Sequence, residues 1–105
     1  MVTEISPLTL KDRLTAPDAP LVLDVREPWE RDIARLAGTS DIPMNEVPAR
    51  LSELPRDRDI VVMCRSGGRS LKVATYLDRL GYRTANLTGG ILAWSRDVDP
   101  SLPTY

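Results

Sequence analysis

The stretch Ile60-Val61-Val62-Met63-Cys64-Arg65-Ser66-Gly67-Gly68-Arg69-Ser70 decides the fold. Its first five residues form a near-continuous apolar run rich in β-branched side chains, the pattern of a strand buried on both faces of a parallel sheet. From about Ser70 the periodicity changes to that of a helix over residues 70–80. Leu71, Ala74 and Leu77 are spaced three apart, Val73, Leu77 and Leu80 continue the same broad face, and Gly81 supplies the stop. A short turn carrying two glycines joins the two.

Outward from this unit the same alternation continues. Leu21-Val22-Leu23-Asp24-Val25 is a second buried strand, and weaker strands are expected at residues 3–6, 39–42 and 83–87. Pro28 marks an early helical position before residues 29–35, and Pro48 opens a helix over residues 49–54 that stops at Pro55. A last short helix over residues 91–95 follows the turn pair Gly89-Gly90, and residues 97–105 read as an extended tail. Strands alternating with helices predict an α/β fold: a mostly parallel, five-stranded sheet with helices on both faces.

Composition fits one globular domain over residues 1–105, since 42% of the residues are hydrophobic and 28% charged. A chain of this length buries roughly two-thirds of its unfolded surface. Fourteen basic against fifteen acidic residues leave a net charge of -1, so no basic excess points to nucleic acid. No apolar run approaches the roughly 20 residues that span a bilayer, and the first ten residues lack a basic region followed by an apolar one. No membrane association and a cytoplasmic location are therefore expected. The sharper counts are one cysteine, Cys64, and no histidine. They exclude an internal disulfide, Ser-His or Cys-His catalysis and a conventional zinc site, and no metal or cofactor is expected.

In open α/β sheets ligands gather at the carboxyl ends of the strands, and Cys64 ends the strongest one. Gly67 and Gly68 let the backbone take conformations closed to other residues, and a side chain on Gly68 is expected to block the turn. Such a loop can aim its N–H groups at one point above a helix N-terminus. A cysteine there, beside Arg65 and Arg69, falls from about 8.5 to roughly 3.5–7.5 in pKa. It then ionises without an imidazole base.

Residues 64–70 resemble the active-site loop of single-domain rhodaneses, sulfurtransferases that carry a sulfur atom as a cysteine persulfide. The likeness runs from Glu4 to Val98. Leu23-Asp24-Val25-Arg26-Glu27 is similar to the family's first motif, residues 45–54 to the helix that follows it, and Gly89-Gly90-Ile91-Leu92-Ala93-Trp94 to its closing motif. The resemblance implies a rhodanese-like fold and a role for each matching residue. Cys64 would be the nucleophile and persulfide carrier, with the amides of Arg65, Ser66, Gly67, Gly68 and Arg69 holding the terminal sulfur. Arg65 and Arg69, the latter at the pocket mouth, would favour anionic donors such as thiosulfate, and Ser66 and Ser70 would be hydroxyl donors. Asp24 and Arg26 match positions near the pocket, where a buried ion pair or helix cap is expected rather than a reacting group; Trp94 is expected in the core. The implied partners are a small anionic sulfur donor and a thiol, cyanide or protein acceptor.

Two departures from the family pattern concern the surface. Arg35-Leu36-Ala37-Gly38 stands where the family commonly has His-Ile-Pro-Gly, and Arg31 where an aromatic residue is frequent. That histidine and proline are mainly structural in the family, so the catalytic inference survives. Three alternatives have weaker support. Cysteine phosphatase and arsenate reductase loops place five residues between cysteine and arginine, whereas only Arg65, Ser66, Gly67 and Gly68 precede Arg69 here, a loop sized for a sulfur atom. A thioredoxin-like role lacks a second cysteine. A non-catalytic interaction or sulfur-carrier module does not need the cysteine and glycine loop that this chain keeps.

Overall fold

The strand Ile60–Met63 is buried at all four positions, and the sheet is built around it. The computed structural model describes residues 2–105. Five strands, β1 (Thr3–Ile5), β2 (Leu21–Asp24), β3 (Ser40–Asp41), β4 (Ile60–Met63) and β5 (Thr84–Leu87), lie in the order β1-β5-β4-β2-β3 with every neighbouring pair parallel. The sheet is thus wholly parallel rather than mostly so. Because β4 pairs with β2 on one side and β5 on the other, its carboxyl end faces the point where the winding reverses.

Period-two alternation sends successive β4 side chains to opposite cores. Ile60, Val62 and Cys64 join Val73, Ala74 and Leu77 of α3 (Gly68–Arg79) on one face, beneath a 3₁₀ segment at Met44–Glu53. Val61 and Met63 point the other way, onto Ile91 and Trp94 of α4 (Gly90–Asp97). Beside α4 lies α1 (Pro7–Arg13). The buried positions of α3 are Ser70, Val73, Ala74 and Leu77, an i, i+3, i+4, i+7 stripe. Leu71 and Leu80, expected on the buried face, are 43% and 39% exposed. With the helix starting at Gly68 and the loop so short, the Ser70 and Val73 side is the one turned to the sheet.

Local punctuation explains the other boundaries. The helix α2 (Pro28–Ile33) begins at Pro28 as expected, held by a reciprocal capping box in which the Glu27 amide donates to Glu30 Oε2 at 2.8 Å. The helix α1 escaped the sequence reading, although Ser6 caps it by accepting from the Thr9 amide and Pro7 occupies its first turn. Only Pro7 and Leu10 of its seven residues are buried, too few to form a periodic stripe. The helix expected at residues 49–54 is instead the 3₁₀ segment starting at Met44, with Pro48 inside it and a kink at Arg50.

The departures around residues 31–39 have a structural use. Arg31 donates to the Arg26 carbonyl at 2.7 Å, and Arg31 and Arg35 both reach the carboxylate of Asp41 on β3. Past α4 the chain does not trail away. It turns at Asp99–Ser101, Ser95 Oγ donates to the Leu102 carbonyl, and Leu102 and Tyr105 pack on the α4 core. Among the described residues no helix is long and apolar enough to cross a membrane.

Candidate functional site at the carboxyl end of strand β4

The loop after β4 is shaped from below by α4. The amides of Ile91 and Leu92 donate to the carbonyls of Cys64 and Arg65 at 2.9 and 3.1 Å. A peptide's C=O and N–H point in opposite directions. Holding these two carbonyls against α4 therefore turns the Arg65 and Ser66 amides away from α4, and the Ser66 amide is one of those that stabilise the sulfur. The approach requires glycine at position 90, where φ is +61° and a Cβ would collide with the Cys64 and Arg65 carbonyl groups.

Cys64 is 1% exposed, and its sulfur is surrounded by donors. The Gly67 amide lies 3.1 Å from Sγ, the Ser70 amide 3.4 Å and Ser70 Oγ 3.3 Å. Burial pushes the thiol up, but the Ser70 hydroxyl and the amides of Ser70, Gly67 and Ser66 outweigh it and hold Cys64 below the ordinary thiol range. No imidazole takes part. Gly67 caps α3 in the left-handed region, at φ +107°, which aims its own N–H at the sulfur. Gly68, expected to be essential to the turn, opens α3 without a positive φ and has nothing within 4 Å of where a Cβ would stand. Only the first glycine of the pair is constrained.

The charged residues expected at the site have partners of their own. Arg69 makes a two-pronged pair with Glu30, both nitrogens 2.7 Å from carboxylate oxygens, so it reaches the loop mouth already half-neutralised. The Arg69 guanidinium, opposed by burial and aided by the Glu27 amide and the Tyr105 hydroxyl, pushes the Glu30 carboxyl down to about 2. Arg65 turns over the Tyr105 ring, 5.2 Å from its centroid, and donates to the Tyr105 backbone oxygen. Ser66 is exposed and offers the sulfur its amide rather than its hydroxyl. Asp24 and Arg26 form a fully buried ion pair, Nη2 to Oδ2 at 2.8 Å, with Arg26 also donating to the Ala34 carbonyl and the Tyr105 hydroxyl. Removing one partner would strand a buried charge at a cost of about 3–5 kcal/mol. The pair secures the end of β2 beside the loop.

Four residues of this arrangement were given no role at the sulfur by the sequence: Glu30, Asn86, Gly90 and Tyr105. Three had a local signal. Glu30 stands three residues after Glu27 at capping-box spacing, Asn86 interrupts the apolar end of β5, and Gly90 is half of a glycine pair. Tyr105 had none, because its ring arrives from the end of the chain to meet Trp29 edge-on at 6.1 Å.

A family model for the rhodanese-like domain matches residues 6–97. The chain belongs to the rhodanese-like family. A sulfurtransferase of Allochromatium vinosum is 43% identical over 97 residues, covering 91% of each chain. A putative sulfurtransferase of Bacillus subtilis is 35% identical over 99 residues, covering 94% of this chain and 96% of the relative. Among solved structures, a rhodanese-like domain protein from Staphylococcus aureus superposes with a TM-score of 0.86 at 28% identity, over 99% of both chains.

Two expectations follow for this rhodanese-like domain. Gly67→Ala forces a Cβ into left-handed backbone and should destabilise the fold by about 1–2 kcal/mol in denaturant unfolding, whereas Gly68→Ala should change stability by less than about 0.5 kcal/mol. Equal losses would refute the assignment of the turn to Gly67. The second concerns acid stability. With Glu30 near 2 in the fold against 4.5 for the free side chain, its stabilisation is complete above about pH 5 and fades as pH falls toward 2. Over that interval the native protein should lose about 2–3 kcal/mol more than Glu30→Gln; parallel acid limbs would show that the Arg69 pair contributes little.

Proposed function

We propose that this chain is a sulfurtransferase that moves sulfur from a thiosulfate-like donor to a thiophilic acceptor through a persulfide on Cys64. The observation that carries the reading is a single buried thiol whose anion is stabilised by backbone amides and a serine hydroxyl, in a chain with no histidine to act as its base. A nucleophile already present as an anion needs positioning and charge stabilisation more than proton abstraction. The sulfurtransferase relatives support the same reaction class.

In the first half-reaction the Cys64 thiolate attacks the outer sulfur of thiosulfate. An S–S bond forms to Sγ as the bond to the sulfonate breaks, sulfite leaves with its electron pair, and the persulfide keeps one negative charge. In the second, cyanide or a thiolate attacks the terminal sulfur, and Cys64 leaves as the thiolate with which the cycle began. Loop amides that stabilise the thiolate are also placed to stabilise the anionic persulfide, because the charge moves by only one bond. Arg65 and Arg69 supply positive potential at the entrance for an anionic donor, moderated by Glu30. That pairing also weighs against phosphatase chemistry, which needs an arginine with both prongs free for phosphoryl oxygens.

Intact mass measured after incubation with thiosulfate tests the reading. The expected result is gain of one sulfur atom, lost on adding cyanide with release of thiocyanate, and absent from Cys64→Ser. A folded protein that gains no sulfur from thiosulfate contradicts the proposal and favours a binding module.

A further inference from the structure

Behind the Cys64 sulfur lies a group that proton counting makes informative. Asn86 is 3% exposed on β5, with its side chain directed at the loop. Its Nδ2 donates to the Gly67 carbonyl at 3.2 Å and to the Glu4 carboxylate oxygens at 3.2 and 3.1 Å. All these partners are acceptors, which fixes the amide so that Oδ1 faces the other way. There it lies 2.6 Å from Ser70 Oγ.

Two oxygens that close require a proton between them, and Asn86 Oδ1 has none to give. The proton is the one on Ser70. A serine hydroxyl carries a single proton, yet Ser70 Oγ also lies 3.3 Å from Cys64 Sγ. It cannot donate to Asn86 and to the sulfur at once. While Cys64 is a thiol the three groups satisfy one another in a chain: S–H donates to Ser70 Oγ, and Ser70 O–H donates to Asn86 Oδ1. When the thiol loses its proton to solvent, that order places Ser70 lone pairs against an anion. The hydroxyl must then turn to the sulfur, leaving Asn86 Oδ1 without its donor.

We propose that Asn86 is a positioning residue that competes with Cys64 for the Ser70 proton, so that the hydroxyl turns to the sulfur in the thiolate and back to Asn86 once the sulfur is capped. The proposal rests on the reading of Cys64 as the reacting thiol and assigns what controls it. Persulfide formation moves the charge outward and makes Sγ a neutral, weak acceptor, which returns the hydroxyl to Asn86. The Ser70 hydroxyl thereby helps the free thiolate and withdraws from the loaded form. The charged groups ranged around this shell are Glu4 behind Asn86, Arg69 with Glu30 across the loop, Arg65 within it, and the Asp24–Arg26 pair at the end of β2.

A double-mutant cycle read by the pH dependence of Cys64 alkylation with iodoacetamide tests this without requiring any sulfur transfer. Asn86→Leu frees the hydroxyl to donate to sulfur, so the midpoint should fall by about 0.5–1 pH unit, a three- to tenfold gain in ionisation constant. In a Ser70→Ala background the same substitution should leave the midpoint unchanged, and the surrounding charges cancel because they are common to both arms. If Asn86 merely braced the loop, its loss would raise the midpoint whether or not Ser70 kept its hydroxyl, and that result overturns the proposal. Should Asn86→Leu not fold, NMR of the otherwise native chain decides. The Asn86 side-chain amide signal should titrate with the Cys64 midpoint and cease to do so in Ser70→Ala; an equal titration in both overturns the proposal. Alkylation succeeds or fails independently of sulfur loading, so a wrong assignment of the reaction and a wrong assignment of Asn86 give different results.

Discussion

The hydrogen bonds from the Ile91 and Leu92 amides to the carbonyls of Cys64 and Arg65 are the constraint on which the rest of the site depends. They hold down the first two carbonyls after β4, which turns the Ser66 amide of the second peptide away from α4 and toward the sulfur. Gly90 is the sequence's contribution to this contact, because only a residue without a Cβ lets the start of α4 approach those carbonyls. The strand supplies the other half. Four consecutive buried residues fix β4 in the centre of the sheet, so Cys64 is presented at a defined height beside the start of α3.

Charge at the site is arranged in pairs rather than as a bare positive patch. Arg69 meets Glu30, Arg26 meets Asp24, and Tyr105 joins the two by donating to Glu30 while accepting from Arg26. Buried or half-buried arginines are thereby satisfied, and the sulfur is stabilised by the Ser70 hydroxyl together with the oriented amide dipoles of Ser70, Gly67 and Ser66. Such dipoles are fixed by the fold and need no reorganisation to stabilise negative charge on Sγ.

How much of this was legible in the sequence depends on the range of the forces involved. The strands β2 and β4 declared themselves because burial on both faces demands unbroken apolar runs, and the stop of α3 was visible in Gly81. The polar helix α1, with two buried residues, left no periodic trace. At the loop, composition marked the segment whose amides converge on Cys64 but not how its residues divide those contacts. A Gly-Gly pair does not reveal which member takes the positive φ, and the answer came from Gly67 having to cap α3 and donate to sulfur at once. The contacts made by Asn86, Gly90 and Tyr105 join residues far apart in the chain, and only the folded arrangement brings them to the loop.

The central claim is that the Ser70 hydroxyl and the loop amides together outweigh burial and lower the pKa of Cys64 in a chain that has no histidine. The most direct measurement is a pH titration of the Cys64 thiolate by its ultraviolet absorbance, in the native protein and in the protein unfolded by urea. The account predicts a native midpoint below both the unfolded one and the ~8.5 of a free cysteine. A native midpoint at or above the unfolded value would mean that burial outweighs the amides, and would contradict the account.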